Sequence, residues 1–77
     1  MSQPEIIQAI AEHLGLSPED IDKTASLRQD LNLGPLELND LLSDLSKRFN
    51  IAFDSEDIKE LDTVNDLIIL VEDNMID

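Results

Sequence analysis

The sequence predicts an all-α fold: a small four-helix bundle with three main helices, one short third helix and a long first loop. Three observations carry that prediction. Apolar residues recur at helical spacing in three separate segments. The aromatic residues are two Phe, and β-branched runs are scarce, so nothing reads as a strand. Gly15 and the pair Gly34-Pro35 stand where one helix must stop and another start.

The first segment runs from about Pro4 to Leu14. Ser2 and Glu5 stand three apart, the spacing of a capping box. Ile6, Ile7, Ile10 and Leu14 fall on one stripe, and Gly15 supplies a left-handed stop. The second runs from about Pro35 to Phe49, with Leu38, Leu41, Leu42, Leu45 and Phe49 on a narrow stripe. Proline suits the first helical position because its missing N–H has no partner there anyway. It also keeps Gly34 out of the helical region, as a cap residue requires. Lys47 and Arg48 fall in the last turn, at the negative end of the helix dipole. The third main segment runs from about Val64 to Met75. Thr63 and Asp66 make a second capping pair, and Val64, Leu67, Ile68, Val71 and Met75 form the stripe. Ile69 and Leu70 lie off it, which predicts a helix apolar around much of its girth and deep in the bundle.

Two connections remain. Asp54-Ser55-Glu56-Asp57-Ile58 carries a cap signal for a helix of two turns or fewer. The stretch from Leu16 to Gly34 covers 19 residues, too long to be structureless in a compact domain. Ser17-Pro18-Glu19-Asp20 reads as one helical turn, and Leu27, Leu31 and Leu33 are available to pin the rest to the core.

Composition bounds the function. The 77 residues form one domain, 1–77, and 42% of them are hydrophobic, enough to fold. With no Cys there is no disulfide scaffold, thiol chemistry or cysteine zinc site, and the lone His13 builds no histidine metal site. The acidic clusters at 54–57 and 62–66 lack the glycine and spacing of a calcium-binding loop. No glycine-rich phosphate loop exists, and nothing in the spacing unites His13 with a serine, so an enzyme is not expected. No apolar run approaches 18 residues and the start carries no basic or apolar leader, so a cytoplasmic protein without a membrane span is expected. Eighteen acidic against five basic residues leave a formal charge of −13. Such a surface repels nucleic acid and is drawn to a basic patch on another protein. A monomer is expected.

The stretch Asp30-Leu31-Asn32-Leu33-Gly34-Pro35-Leu36-Glu37-Leu38, continued by Asp40-Leu41-Leu42, Leu45 and Phe49, resembles the acyl carrier protein family. Members read D-L-G-x-D-S-L-D/E at the start of their second helix. Leu14-Gly15-Leu16, Ser17-Pro18-Glu19-Asp20-Ile21, Phe49-Asn50-Ile51 and Asp62-Thr63-Val64-Asn65-Asp66-Leu67 resemble further family segments, so the likeness spans nearly the whole chain. It implies an acyl-carrier-protein-like four-helix bundle. It also implies a serine carrying 4′-phosphopantetheine through a phosphodiester, at the position where this chain has Pro35, preceded by Gly34. Proline has no hydroxyl. The nearest serines are Ser26, nine residues earlier, and Ser43, eight residues later. The sequence-based expectation is therefore no cofactor, 4′-phosphopantetheine included.

The resemblance further implies that the acidic second helix docks on basic patches of biosynthetic enzymes. At 100° per residue, Leu36, Asp40, Ser43 and Lys47 lie opposite the buried stripe, flanked by Glu37 and Asp44. Leu36, Glu37, Asp40 and Asp44 are the candidate partner-binding residues. Asn39, Ser43 and the pair Lys47-Arg48 depart from the family's usual apolar and acidic residues there. His13 reads as a surface histidine favoured by the helix dipole, and Leu36 as either a docking contact or a side chain folded onto Leu31 or Leu33. Ile69 and Leu70, by the resemblance, line the space that holds an acyl chain; from the residues alone they are core or partly covered surface. The reading is a non-phosphopantetheinylated protein-binding or regulatory module of fatty-acid, polyketide or related thioester biosynthesis. Its rivals are a genuine acyl or aminoacyl carrier modified at a non-standard position, and an acidic decoy of a nucleic-acid-binding protein.

Overall fold

Each apolar stripe becomes one wall of a single core. In the computed structural model, which describes residues 2–75, α1 spans Ser2–Leu14, α2 Pro35–Phe49, α3 Ser55–Lys59 and α4 Val64–Asn74, with a 3₁₀ turn at Pro18–Asp20. No strand is present among the described residues; Ser26 and Thr63 share one isolated antiparallel bridge. The all-helical prediction and the order of elements therefore hold, down to the short third helix.

α1 buries Ile6 and Ile10 completely, as its stripe predicts. It also buries Ala9 and Ala11, small residues that let neighbouring helices approach. It begins at Ser2 rather than Pro4, which costs nothing, because the first four N–H groups of a helix have no internal partner and Pro4 lacks one. The Ser2 side chain, and with it the expected capping pair with Glu5, lies outside the described residues. Gly15 ends the helix at φ 75°. The Leu16 N–H reaches the Ala11 carbonyl at 2.8 Å and the Gly15 N–H reaches Glu12 at 3.3 Å, the two bonds of a Schellman stop.

α2 occupies the predicted span. Leu38, Leu41, Leu42 and Leu45 are buried, and Phe49 packs half-buried against them. Gly34 caps it in an extended conformation with Pro35 behind it, and Asn50 closes it in the left-handed region. The Ser46 hydroxyl donates to the Ile51 carbonyl at that closure. α4 starts with the capping box read from the sequence: the Asp66 N–H donates to Thr63 Oγ1 at 3.2 Å, and the Thr63 N–H donates to Asp66 Oδ2 at 3.0 Å. Val64, Leu67, Ile68 and Val71 are buried. The helix is not enclosed all round, however, since Ile69 is 45% exposed. Asp54 does precede α3, but its side chain makes no capping bond.

The long loop is ordered by its own polar residues. Asp22 Oδ1 accepts from the Thr24 N–H and hydroxyl, Asp30 Oδ2 accepts from the Ser26 N–H at 2.7 Å, and Ser26 Oγ accepts from the Gln29 N–H. Leu27 and Leu33 are buried and Leu31 is half-buried, as anticipated. The loop is further stitched to the start of α4. The Leu27 N–H donates to Asp62, and the Val64 and Asn65 N–H groups donate to Ala25 and Lys23. These bonds satisfy backbone groups that a buried loop would otherwise leave unpaired. The result presents the first half of α2 on an outer face, with its N-terminus fixed by a tied loop.

Candidate functional site

The outer face of α2 is built by the same periodicity that builds its inner one. With four leucines drawn inward, Leu36, Glu37, Asp40, Ser43 and Lys47 are left outside, and all are exposed. Leu36 is 81% exposed. It is not folded onto Leu31 or Leu33, so an apolar side chain stands in water beside two carboxylates. Glu37 turns back over the helix start: its Oε1 lies 2.6 Å from where a Cβ on Gly34 would sit. An anion there is favoured by the positive end of the dipole.

Asp44 behaves differently. Its side chain is only 28% exposed and is held by a histidine and an arginine. His13 Nδ1 donates to Asp44 Oδ2 at 2.9 Å, and Arg48 Nε donates to Asp44 Oδ1 at 3.1 Å. Arg48 also reaches back to α1, donating to Glu12 Oε1 at 2.9 Å. Burial pushes the Asp44 carboxyl up, but the hydrogen bonds from His13 and Arg48 and their charges outweigh it and hold it below the ordinary aspartate range. Hydrogen bonds from Arg48 and Gln8 hold Glu12 low as well, and bonding to Glu12 and Asp44 raises Arg48.

The structure adds to two expectations here. Asp44, expected as a partner-binding acid, also bonds His13 and Arg48 at the seam between α1 and α2, while Glu37 and Asp40 are exposed. His13, read as an ordinary surface histidine, has a side chain only 21% exposed. It bridges α2 acids, with Nε2 3.4 Å from Asp40 Oδ2. The physical reason is the same in both cases. A helical wheel of α2 shows which residues leave its own core face, not which residues of α1 arrive beside them. His13 and Asp44 are 31 positions apart, and Glu12 and Arg48 are 36 apart. The signal that was present, a histidine and an arginine each one helical face away from carboxylates, has no partner until the helices cross.

At the helix start, Gly34 and Pro35 border a shallow depression with Arg28, Asn32 and Leu33. Asn32 takes φ 57°, which carries the chain from the loop into the cap. The residues at this corner do not fit a phosphodiester at position 35, because a proline ring offers no oxygen. Ser43 is exposed but lies about 12 Å further along the helix axis. Ser26 is half-buried within the loop's own bonds. Among the described residues, no group of three or more His, Cys, Asp or Glu is placed to hold a metal ion, and no helix is long and apolar enough to cross a membrane.

The family model described as a phosphopantetheine attachment site matches residues 4–71. The chain belongs to that family. It is 34% identical over 74 residues to an acyl carrier protein of Chlamydia muridarum, covering 95% of this chain and 96% of the relative. It is 33% identical over 75 residues to one of Chlamydia trachomatis serovar L2, covering 96% and 97%. It is 32% identical over 68 residues to one of an Exiguobacterium species, covering 88% and 86%. The resemblance read from the motif is thereby shown, and so is the carrier-type domain. The expectation of no cofactor is corrected by the same match. A chain matching the attachment-site family along residues 4–71 belongs with proteins that normally carry 4′-phosphopantetheine. The replaced pair Gly34-Pro35 lies inside that match.

Proposed function

We propose that this carrier-type domain works by presenting the N-terminal half of α2 to a basic patch on a biosynthetic enzyme of thioester chemistry. One observation carries the reading: Leu36 is 81% exposed on the face that also holds Glu37 and Asp40. An apolar knob beside outward-facing acids matches the usual form of a docking contact, in which a desolvated anchor supplies affinity and rim charges supply approach rate and register. Asp44 contributes from behind, by fixing α1 against α2. The curated relatives named acyl carrier protein support a place beside biosynthetic enzymes. The test is capture of binding proteins from the host's extract by the wild type and by a Leu36→Ala, Glu37→Lys, Asp40→Lys variant. Biosynthetic enzymes held by the first and lost from the second support the reading. Equal capture by both reduces the face to solvated surface, and capture of nucleic-acid-binding proteins instead supports the decoy.

The match to an attachment-site family favours a second reading, a genuine carrier whose arm is joined at a hydroxyl other than position 35. Intact mass after incubation with coenzyme A and a broad-specificity phosphopantetheinyl transferase decides it. A gain of one arm, placed by peptide mapping, supports this reading, and an unchanged mass removes it.

A further inference from the structure

A second surface lies away from α2. α3 and α4 enclose a shallow groove of about 210 Å³. Its floor is apolar: Leu61 is buried, Leu70 is half-buried and Ile69 is 45% exposed. Its rim is acidic, carrying Asp57, Glu60, Asp66 and Asp73. Asp66 is partly used by the α4 cap. The other three rim acids take part in no side-chain hydrogen bond or ion pair among the described residues. This separates the groove from the α2 face, where Arg48 pairs with Asp44 and His13 contacts Asp44 and Asp40. Three acids without an ion pair among the described residues, Asp57, Glu60 and Asp73, thus border a partly open apolar strip.

We propose that this groove docks a basic amphipathic helix of a partner protein, seating one or two aliphatic side chains on Ile69 and Leu70 with flanking Lys or Arg against Asp57, Glu60 and Asp73. Charge complementarity selects that occupant. A free fatty acid brings its own carboxylate to an acidic rim and is repelled. A bare cation finds no converging ligand set and leaves the apolar floor uncovered. A second copy of this chain brings another −13 surface. An amphipathic helix with cationic edges satisfies floor and rim together, the recognition mode of helices in apolar grooves.

The experiment titrates the full ¹⁵N-labelled chain with a synthetic leucine-lysine amphipathic helix, with a leucine-glutamate peptide and with dodecanoate. The expected result is saturable amide shifts centred on residues 57–73 with the basic peptide only. Ile69→Ser and Asp73→Lys should each raise Kd by about tenfold or more, whereas Leu36→Ala leaves it unchanged. Both substitutions sit on exposed positions, so folding is retained, and unchanged helicity confirms it. Shifts centred on α2, equal binding by Ile69→Ser, or saturable shifts with dodecanoate overturn the proposal. The α2 docking reading stands or falls separately, because its own variants lie on the other face.

Discussion

At the scale of single residues, position decides what each acid does. Glu12 and Asp44 are held below their ordinary ranges, foremost by Arg48 for Glu12 and by His13 and Arg48 against the pull of burial for Asp44. A carboxyl depressed on folding stabilises the native state above its unfolded value and loses that contribution as pH falls through the folded one. The stability gap between wild type and Asp44→Asn should therefore be open at pH 6 and close as pH drops below about 4, which urea unfolding at each pH measures. Leu36→Ala is expected to change stability by less than about 0.5 kcal/mol, since its side chain touches so little. Leu41→Ala, fully buried at the centre of α2, should cost about 2–5 kcal/mol. A methyl group added at Gly15 would meet nothing within 4 Å, yet the φ there is +75°. Gly15→Ala should thus cost about 1 kcal/mol through backbone conformation alone.

At the scale of elements, the helix ends were legible and the loop's attachment was not. The Thr63 and Asp66 pair, Gly15 and Pro35 are local signals, written in residues within a few positions of each other, and each sits where its chemistry requires. Thr63→Ala should destabilise by about 1 kcal/mol, read as a fall of about 4–8 °C in Tm for a domain this size. The docking of residues 23–27 onto the start of α4 joins backbone groups far apart in sequence, and no periodicity announces such bonds. Leucine spacing did predict that Leu27 and Leu33 would anchor the loop, because apolar side chains in a polar stretch have few other places to go. The left-handed residues Asn32 and Asn50 are of the type that tolerates that region, but asparagine is also common in ordinary turns, so identity alone does not single them out.

At the scale of the whole molecule, −13 on 77 residues is a standing self-repulsion that the packed core must exceed. Raising salt from low ionic strength to about 0.5 M screens it. The protein should become more stable across that range, with Tm rising, despite the weakening of the pairs between α1 and α2. The charge is also unevenly compensated. Arg48 sits on the seam of α1 and α2, paired with Glu12 and Asp44, and among the described residues no cation is bonded to the rim of the groove between α3 and α4.

The sequence by itself determined the all-helical class, the spans and stops of the main helices, the family, and the outward face of α2. All of these follow from the 3.6-residue period, from caps within a turn, and from a motif read along the chain. Only the tertiary structure decided that Asp44 meets His13 of α1, that His13 bridges two acids, and that an open apolar strip bordered by acids lies between α3 and α4. Those facts depend on how helices cross, and a crossing is set by the packing of side chains from both partners, which no single stretch of sequence contains.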